Sequence, residues 1–427
     1  MNSLRQKIEQ EIRECGPIPF SRYMELCLYD SEFGYYSRNA EQFGKAGDFY
    51  TSSDVHAVFG RLLARQFEEM WRVLGSPEKI VVKELGPGRG LFAQDVLDWS
   101  ERKFPEFFRA LQYILVERSP ALRGRIEESL NEYLKAGKAL LTYVFSEAGG
   151  AETSAAEAAS RNEPPIAALE RSATQNPGLA PISEAALPTI VFANEFFDSL
   201  PVEIVGSQGS LRIGSQNGRL VETWVPASTE EIEFLDCYSI RPEPGERVEV
   251  PLLAQEYAGQ VCANITRGFF IVIDYGYTRA EQLAGRHRGT LKAIRQHSVS
   301  ANPYEAPGEQ DITADVNFTA LAAAAEEQGM QAQKLVTQSQ VLMGIGEANQ
   351  FADAVEDGRV PQSPPFGAKG TREKWGTREA KVALQLKHLV TPAGMGESFQ
   401  VLVASKGVET ERVARLAGLS FGRSIHG

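Results

Sequence analysis

Two groups of residues in this chain have types and spacing suited to chemistry. The first is Lys83-Glu84-Leu85-Gly86-Pro87-Gly88-Arg89-Gly90, which sets three glycines within five positions just after the apolar run Ile80-Val81-Val82. A glycine turn between a strand and a helix start offers unblocked backbone N–H groups and the positive end of a helix dipole, which suits a nucleotide-like ligand. The spacing narrows the kind. A P-loop needs GxxxxGK[ST], and no Lys-Ser or Lys-Thr follows. The dinucleotide fingerprint is GxGxxG, whereas these residues read ExGxGxG. Glu117 closes the next apolar run, where an acid accepts ribose hydroxyls in dinucleotide folds. The second group is ANEFFDSLP (193–201), in which Glu195 and Asp198 flank paired phenylalanines, with Asp274 of IDYG as a third carboxylate. On these residues alone, a capped helix start with core aromatics is the simpler reading.

The elements that must position these groups follow from periodicity. VVKEL, QYILVE (112–117), TIVFANEFFD (189–198) and GFFIVIDYGY (268–277) are short apolar runs bounded by turn residues, the pattern of strands buried on both faces. LFAQDVLDWSERKF supplies a crossover helix between the first two. The expected fold class is therefore α/β, a mostly parallel, doubly wound sheet. Residues 1–79 read as a helical N-terminal region, with amphipathic helices over 20–30 and 56–75, and 80–427 as the core. Two interruptions are expected in the core: a flexible Ala/Ser/Glu/Pro-rich insertion over 148–188, and a β-hairpin over 202–225 across GSQGS and SQNGR turns. KLVTQSQVLM (334–343) and ESFQVLVASKG (397–407) are late strand candidates.

Composition bounds the function. The 427 residues carry a net charge of −12, which counts against broad binding to nucleic-acid phosphates. No 18-residue apolar run exists, so no membrane span is expected, and the charged amphipathic start MNSLRQKIEQEIRECG has no signal-peptide core; the expectation is a cytoplasmic protein. The cysteines Cys15, Cys27, Cys237 and Cys262 form no CxxC pair and are expected to be reduced and buried, and the five histidines show no HExxH spacing, so no metal is expected.

The ExGxGxG loop matches motif I of class I S-adenosylmethionine-dependent methyltransferases. CGPIPFSRYMELCLYDSEFGYY, GKAGDFYTSSDVHAVFGRLLA, ELGPGRG, LVERSPALR, ANEFFDSLPVE, FIVIDYG, GTLKAIRQH, PGEQDITADVNFTAL and MGESFQVLVASKG, in order from residue 15 to 407, resemble the MidA-type family of these enzymes. The resemblance implies a Rossmann-like methyltransferase core with S-adenosylmethionine as cofactor. Gly86, Gly88 and Gly90 would let it lie against the backbone, Glu84 would serve its amino-acid end, Glu117 its ribose, and Asn194 would border it. In GKAGDFYTSSDV (44–55), Asp48 and Thr51 would reach it from a lid hinged at Gly44 and Gly47. His297 and Asp311 would line the cleft, and Tyr35 and Tyr36 are expected to pack rather than react. The resemblance further implies ω-N-methylation of a protein arginine, the partner being a protein substrate such as a respiratory-complex subunit. Glu195, Asp198 and Asp274 would then hold the guanidinium. Asn317 stands where the family often has Asp. Three readings stay open: a protein methyltransferase, a cofactor-binding assembly factor or scaffold with weak or lost catalysis, and a methyltransferase for a small molecule or nucleic acid or an unrelated Rossmann oxidoreductase. Substrate identity and the choice between monomer and homodimer are not legible.

Overall fold

A computed structural model describes residues 3–37, 57–143, 187–295, 298–300, 302–355, 389 and 397–421. The apolar runs form the centre of one sheet: β1 (Ile80–Leu85), β2 (Leu111–Val116), β3 (Ala139–Thr142), β4 (Thr189–Asn194), β5 (Gly268–Tyr277) and β6 (Phe399–Lys406). Among the described residues the order is β6-β5-β4-β1-β2-β3. β1 to β5 run parallel and β6 runs antiparallel to β5. The chain winds outward from β1 to β3, then crosses back to β4 on the other side of β1. Ligands of open α/β sheets bind at such a switch point, beyond the carboxyl ends of the strands.

Side-chain alternation sorts each strand between two cores. Ile190 and Phe192 of β4, with Phe269, Ile271 and Ile273 of β5, face the helices Ala57–Val73 and Leu91–Lys103. Val191 and Ala193, with Phe270 and Val272, face the helices Leu252–Ala263 and Phe318–Glu327. Phe92 stacks on Phe192 with ring centroids 4.6 Å apart, which ties the helix after the glycine loop to the sheet centre.

The expected hairpin is part of something larger. Strands Gly209–Gln216 and Arg219–Val225 meet at Asn217-Gly218, both with positive φ as a type I′ turn requires. Glu203–Gly206, Arg247–Val250 and the N-terminal Ile18–Pro19 complete a five-stranded sheet. Helices Ser3–Cys15 and Phe20–Tyr29 pack Leu4, Ile8, Tyr23 and Met24 against Ile204, Leu211 and Ile213 of that sheet. The N-terminal helices thus belong with the inserted sheet, whereas the helix Ala57–Val73 belongs with the core. Of the expected insertion over 148–188, all but Leu187 and Pro188 lies outside the described residues.

Two further expectations are corrected. Residues 334–343 are not one strand: Val336–Thr337 is followed by a helix, Gln338–Glu347. Thr337 and Gln340 form a capping box, in which the Thr337 hydroxyl accepts the Gln340 N–H at 3.2 Å and the Gln340 side chain accepts the Thr337 N–H at 2.9 Å. That T-x-x-Q signal outweighs the strand-like apolar content. The four cysteines are free, but only Cys27 and Cys262 are buried, while Cys15 and Cys237 are exposed. Asn317 caps the helix Phe318–Glu327, accepting from Ala320 N–H at 3.1 Å and donating to the Tyr238 carbonyl at 2.9 Å. An aspartate would keep the first bond and lose the second.

Candidate active site

The loop after β1 holds Gly86, Gly88 and Gly90 at φ of 63°, 55° and 75°, all left-handed. Each glycine has a different reason. A Cβ at Gly86 would lie 2.7 Å from Phe196 Cδ2, so its absence makes room for that ring. At Gly90 a Cβ would press on Ile126, Ser129 and Leu130 at 3.3–3.4 Å, and the residue N-caps the helix Leu91–Lys103. At Gly88 a Cβ would meet nothing within 4 Å. Gly86 and Gly88 line a cavity of about 370 Å³ at the sheet's switch point, and Gly90 does not. The three glycines therefore divide the work: Gly88 is the open face, and its two neighbours shape the turn.

Parallel register brings the strand-end acids to the same cavity. Leu85 pairs with Val116 and with Ala193, so Glu84, Glu117, Asn194 and Glu195 gather at one edge and all line the cavity. Glu84 is 5% exposed and accepts a 2.8 Å bond from the Tyr113 hydroxyl. Burial nonetheless pushes its carboxyl up to about 8. Glu117 accepts the Ser119 N–H at 2.8 Å. Burial pushes it up to about 7 against the pull of the Ser119, Gly88 and Arg118 amides. Asn194 donates to Glu195 Oε1 at 3.0 Å, while its own Oδ1 is buried and finds no partner among the described residues.

The substrate side differs from expectation. Glu195 lines the cavity, its backbone left-handed at φ 51° and its N–H bonded to Ile273 O at 3.0 Å. Asp198 and Asp274 do not line it. Asp274 is fully buried: Oδ2 accepts the N–H groups of Phe196, Phe197 and Asp198 at 3.1, 3.0 and 3.3 Å, and Oδ1 accepts Tyr275 N–H at 2.9 Å. Its lone pairs are committed to the turn, so it cannot hold a guanidinium. Asp198 is half-buried and pushed up to about 7 by burial and then by Asp315, with Lys292 opposing. Asp311 is buried outside the cavity lining and accepts the Tyr36 hydroxyl at 3.1 Å. Asp48, Thr51 and His297 lie outside the described residues.

Sequence reasoning missed the cavity's far wall. Glu25, Tyr29, Ser31 and Tyr36 come from the N-terminal region. The Tyr29 hydroxyl donates to Ser199 O at 3.0 Å, and the Tyr36 carbonyl accepts the Ser119 hydroxyl at 2.8 Å, so this wall is bonded to the loops after β4 and β2. Tyr36 borders the cavity while Tyr35 packs in the core. The aromatic cluster YDSEFGYYS was the available signal.

These residues fit S-adenosylmethionine. Gly88 leaves its face open, Asn194 Oδ1 wants a donor, and the two desolvated carboxyls Glu84 and Glu117 suit an ammonium and a ribose diol. Among the described residues no helix is long and apolar enough to cross a membrane, and no cluster of His, Cys, Asp and Glu could hold a metal.

Known proteins resemble this chain. A mitochondrial protein arginine methyltransferase NDUFAF7 homolog from Drosophila melanogaster is 29% identical over 77% of this chain and 71% of its own length. The Xenopus tropicalis mitochondrial protein arginine methyltransferase NDUFAF7 is 27% identical over 74% and 69%. A Burkholderia thailandensis protein solved bound to S-adenosyl-homocysteine superposes with a TM-score of 0.73 at 25% identity, covering 97% of this chain and 95% of that one. A family model described as "Putative S-adenosyl-L-methionine-dependent methyltransferase" matches residues 62–336. That span holds β1 to β5 and every described residue assigned to the cofactor, and the chain belongs to this family of S-adenosylmethionine-dependent methyltransferases.

Proposed function

We propose that this methyltransferase acts on an arginine side chain of a partner protein. The observation that carries the reading is Glu195, a carboxylate fixed in a left-handed conformation in the same cavity as the glycine loop. The relatives named as protein arginine methyltransferases support it.

When bound, S-adenosylmethionine supplies an electrophilic methyl on a sulfonium. The chain's own task is to orient an acceptor nitrogen in line with that methyl and to keep water away. An arginine is cationic at neutral pH, and deprotonating it outright at pH 7 costs roughly 8 kcal/mol for a pKa of about 12.5–13.8. Glu195 avoids that cost by holding one side of the guanidinium. Positive charge then localises on the nitrogens it bonds, and another nitrogen keeps its lone pair for attack. The Glu195 carboxylate, or water beside it, would take the proton that the acceptor nitrogen sheds on methylation. Tyr29, Tyr36, Phe196 and Tyr257 line the same cavity with rings, which suit the flat face of a guanidinium.

The test uses labelled S-adenosylmethionine and a lysate from cells lacking the protein. Transfer to a protein band that yields methylarginine on hydrolysis is expected. A respiratory-complex subunit is the first band to identify, and a cytoplasmic fraction the first to try. Glu195→Gln should lower transfer by about a hundredfold or more, while cofactor affinity stays within about threefold. Label on RNA or a small metabolite would sink the reading, as would unchanged transfer by the variant.

A further inference from the structure

We propose that Asp274 is the positioning residue of the methyl-transfer site, acting through the backbone of residues 195–198 to hold the Glu195 carboxylate in the cavity. The inference rests on the reading of Glu195 as the group that grips the acceptor. β4 and β5 pair in register up to Asn194 and Ile273, and one more bond, from Glu195 N–H to Ile273 O, closes the ladder. Beyond it the chain turns away through a single 3₁₀ turn, Phe197–Ser199, in which the N–H groups of three consecutive residues have no strand or helix to receive them. Asp274 Oδ2 takes all three, at 3.0–3.3 Å. Successive N–H groups converging on one oxygen form a concave nest, and the three bonds tie the turn to Asp274.

Glu195 stands immediately before this nest at φ 51°. A long L-side chain keeps a left-handed backbone only where its surroundings impose it, and such residues gather at functional sites. The constraint comes from two sides. Asp274 anchors the turn from beneath, and the bare Cα of Gly86 lets the Phe196 ring lie where a Cβ would sit 2.7 Å away. Asp274 itself has no exposed surface and does not line the cavity, so it acts only through the turn. Burial, with Asp198 and Glu195 nearby, pushes its carboxyl well above the usual range. Asparagine keeps one carbonyl oxygen for the three N–H groups and gives up only the Tyr275 bond.

The experiment is a cycle of Asp274→Ala, Asp274→Asn, Glu195→Gln and the Ala/Gln double variant in the full chain, read by label transfer, cofactor binding and a crystal structure of the alanine variant. Asp274→Ala should cut transfer by about tenfold or more with cofactor affinity within about threefold, and Asp274→Asn should restore most of it. The double variant should be no slower than Glu195→Gln alone, because a residue that acts through another adds nothing once the other is gone. In the alanine variant Glu195 should leave the left-handed region. Asp274→Ser, which keeps one weaker acceptor, replaces alanine in each measurement if alanine does not fold. Additive losses in the double variant, or Glu195 still left-handed without Asp274, would overturn the proposal. Unchanged transfer by Glu195→Gln would instead overturn the reading of Glu195, and the backbone of residue 195 would still decide the role of Asp274.

Discussion

Glu84 and Glu117 couple the cofactor pocket to pH. Burial holds their carboxyls near 8 and 7, so in the free protein at pH 6 both are mostly protonated. A cationic cofactor needs at least the carboxylate beside its ammonium ionised, and each pH unit below a pKa costs up to about 1.4 kcal/mol, or tenfold in affinity. Affinity for S-adenosylmethionine should therefore tighten as pH rises from 6 to about 8 and level off above. Calorimetry across that range checks it. Glu84→Gln should bind more weakly at pH 8 and lose the upper part of the pH dependence, and a flat wild-type profile would contradict the assignment. That acids would stand at these two positions was legible, because both end apolar runs. That they would be desolvated was not, because burial depends on Tyr113, the N-terminal wall and the loop after β4 closing around them.

At the scale of elements, the glycine loop is one unit with three demands. All three glycines need a left-handed backbone, but only Gly88 faces open cavity. Gly88→Ala should fold, losing about 1–2 kcal/mol to the left-handed conformation, and should weaken cofactor binding by about tenfold because the new methyl enters the cavity. Gly86→Ala should be the more damaging to stability, since its Cβ drives Phe196 out of the turn held by Asp274. Urea melts and cofactor titrations of the pair separate the two effects; equal loss of binding and stability in both would sink this division. The sequence marked the loop through its spacing alone. Which glycine leaves open space was decided by Phe196 and by the helix Pro120–Ser129, segments distant in the chain.

For the whole molecule, the same buried carboxyls contribute to the stability profile, beside Asp95 and Asp198, which burial also raises to about 7. Their folded-state pKa values lie above the unfolded ones, so the folded protein binds more protons, and stability falls as pH rises through the interval between the two values. For Glu84 that interval runs from 4.5 to about 8, and for Glu117 from 4.5 to about 7. The free protein should therefore be more stable to urea at pH 5.5 than at pH 8. Glu84→Gln should reduce the difference, and saturating cofactor should recover stability at the higher pH by mass action. A protein equally stable at both values, with and without the substitution, would show that these groups keep ordinary pKa values.

The sequence by itself determined the parallel core, the methyl-donor loop and the family, because each is written in local order: buried strands as unbroken apolar runs, the turn as spaced glycines, the switch point as alternation of strand and helix. Even the Thr337 capping box was present as T-x-x-Q, though the apolar residues around it suggested a strand. Only the tertiary structure decided what the carboxylates do. Glu195, Asp198 and Asp274 look alike in a string, and two of them lie within four residues of each other. Register at the ends of β4 and β5 turns Glu195 toward the cavity, leaves Asp198 under the influence of Asp315 and Lys292, and spends Asp274 on four backbone amides. The N-terminal wall was illegible for the same reason. Tyr29 and Tyr36 reach the site because the N-terminal region packs on a sheet inserted some two hundred residues later, a contact that no local pattern records.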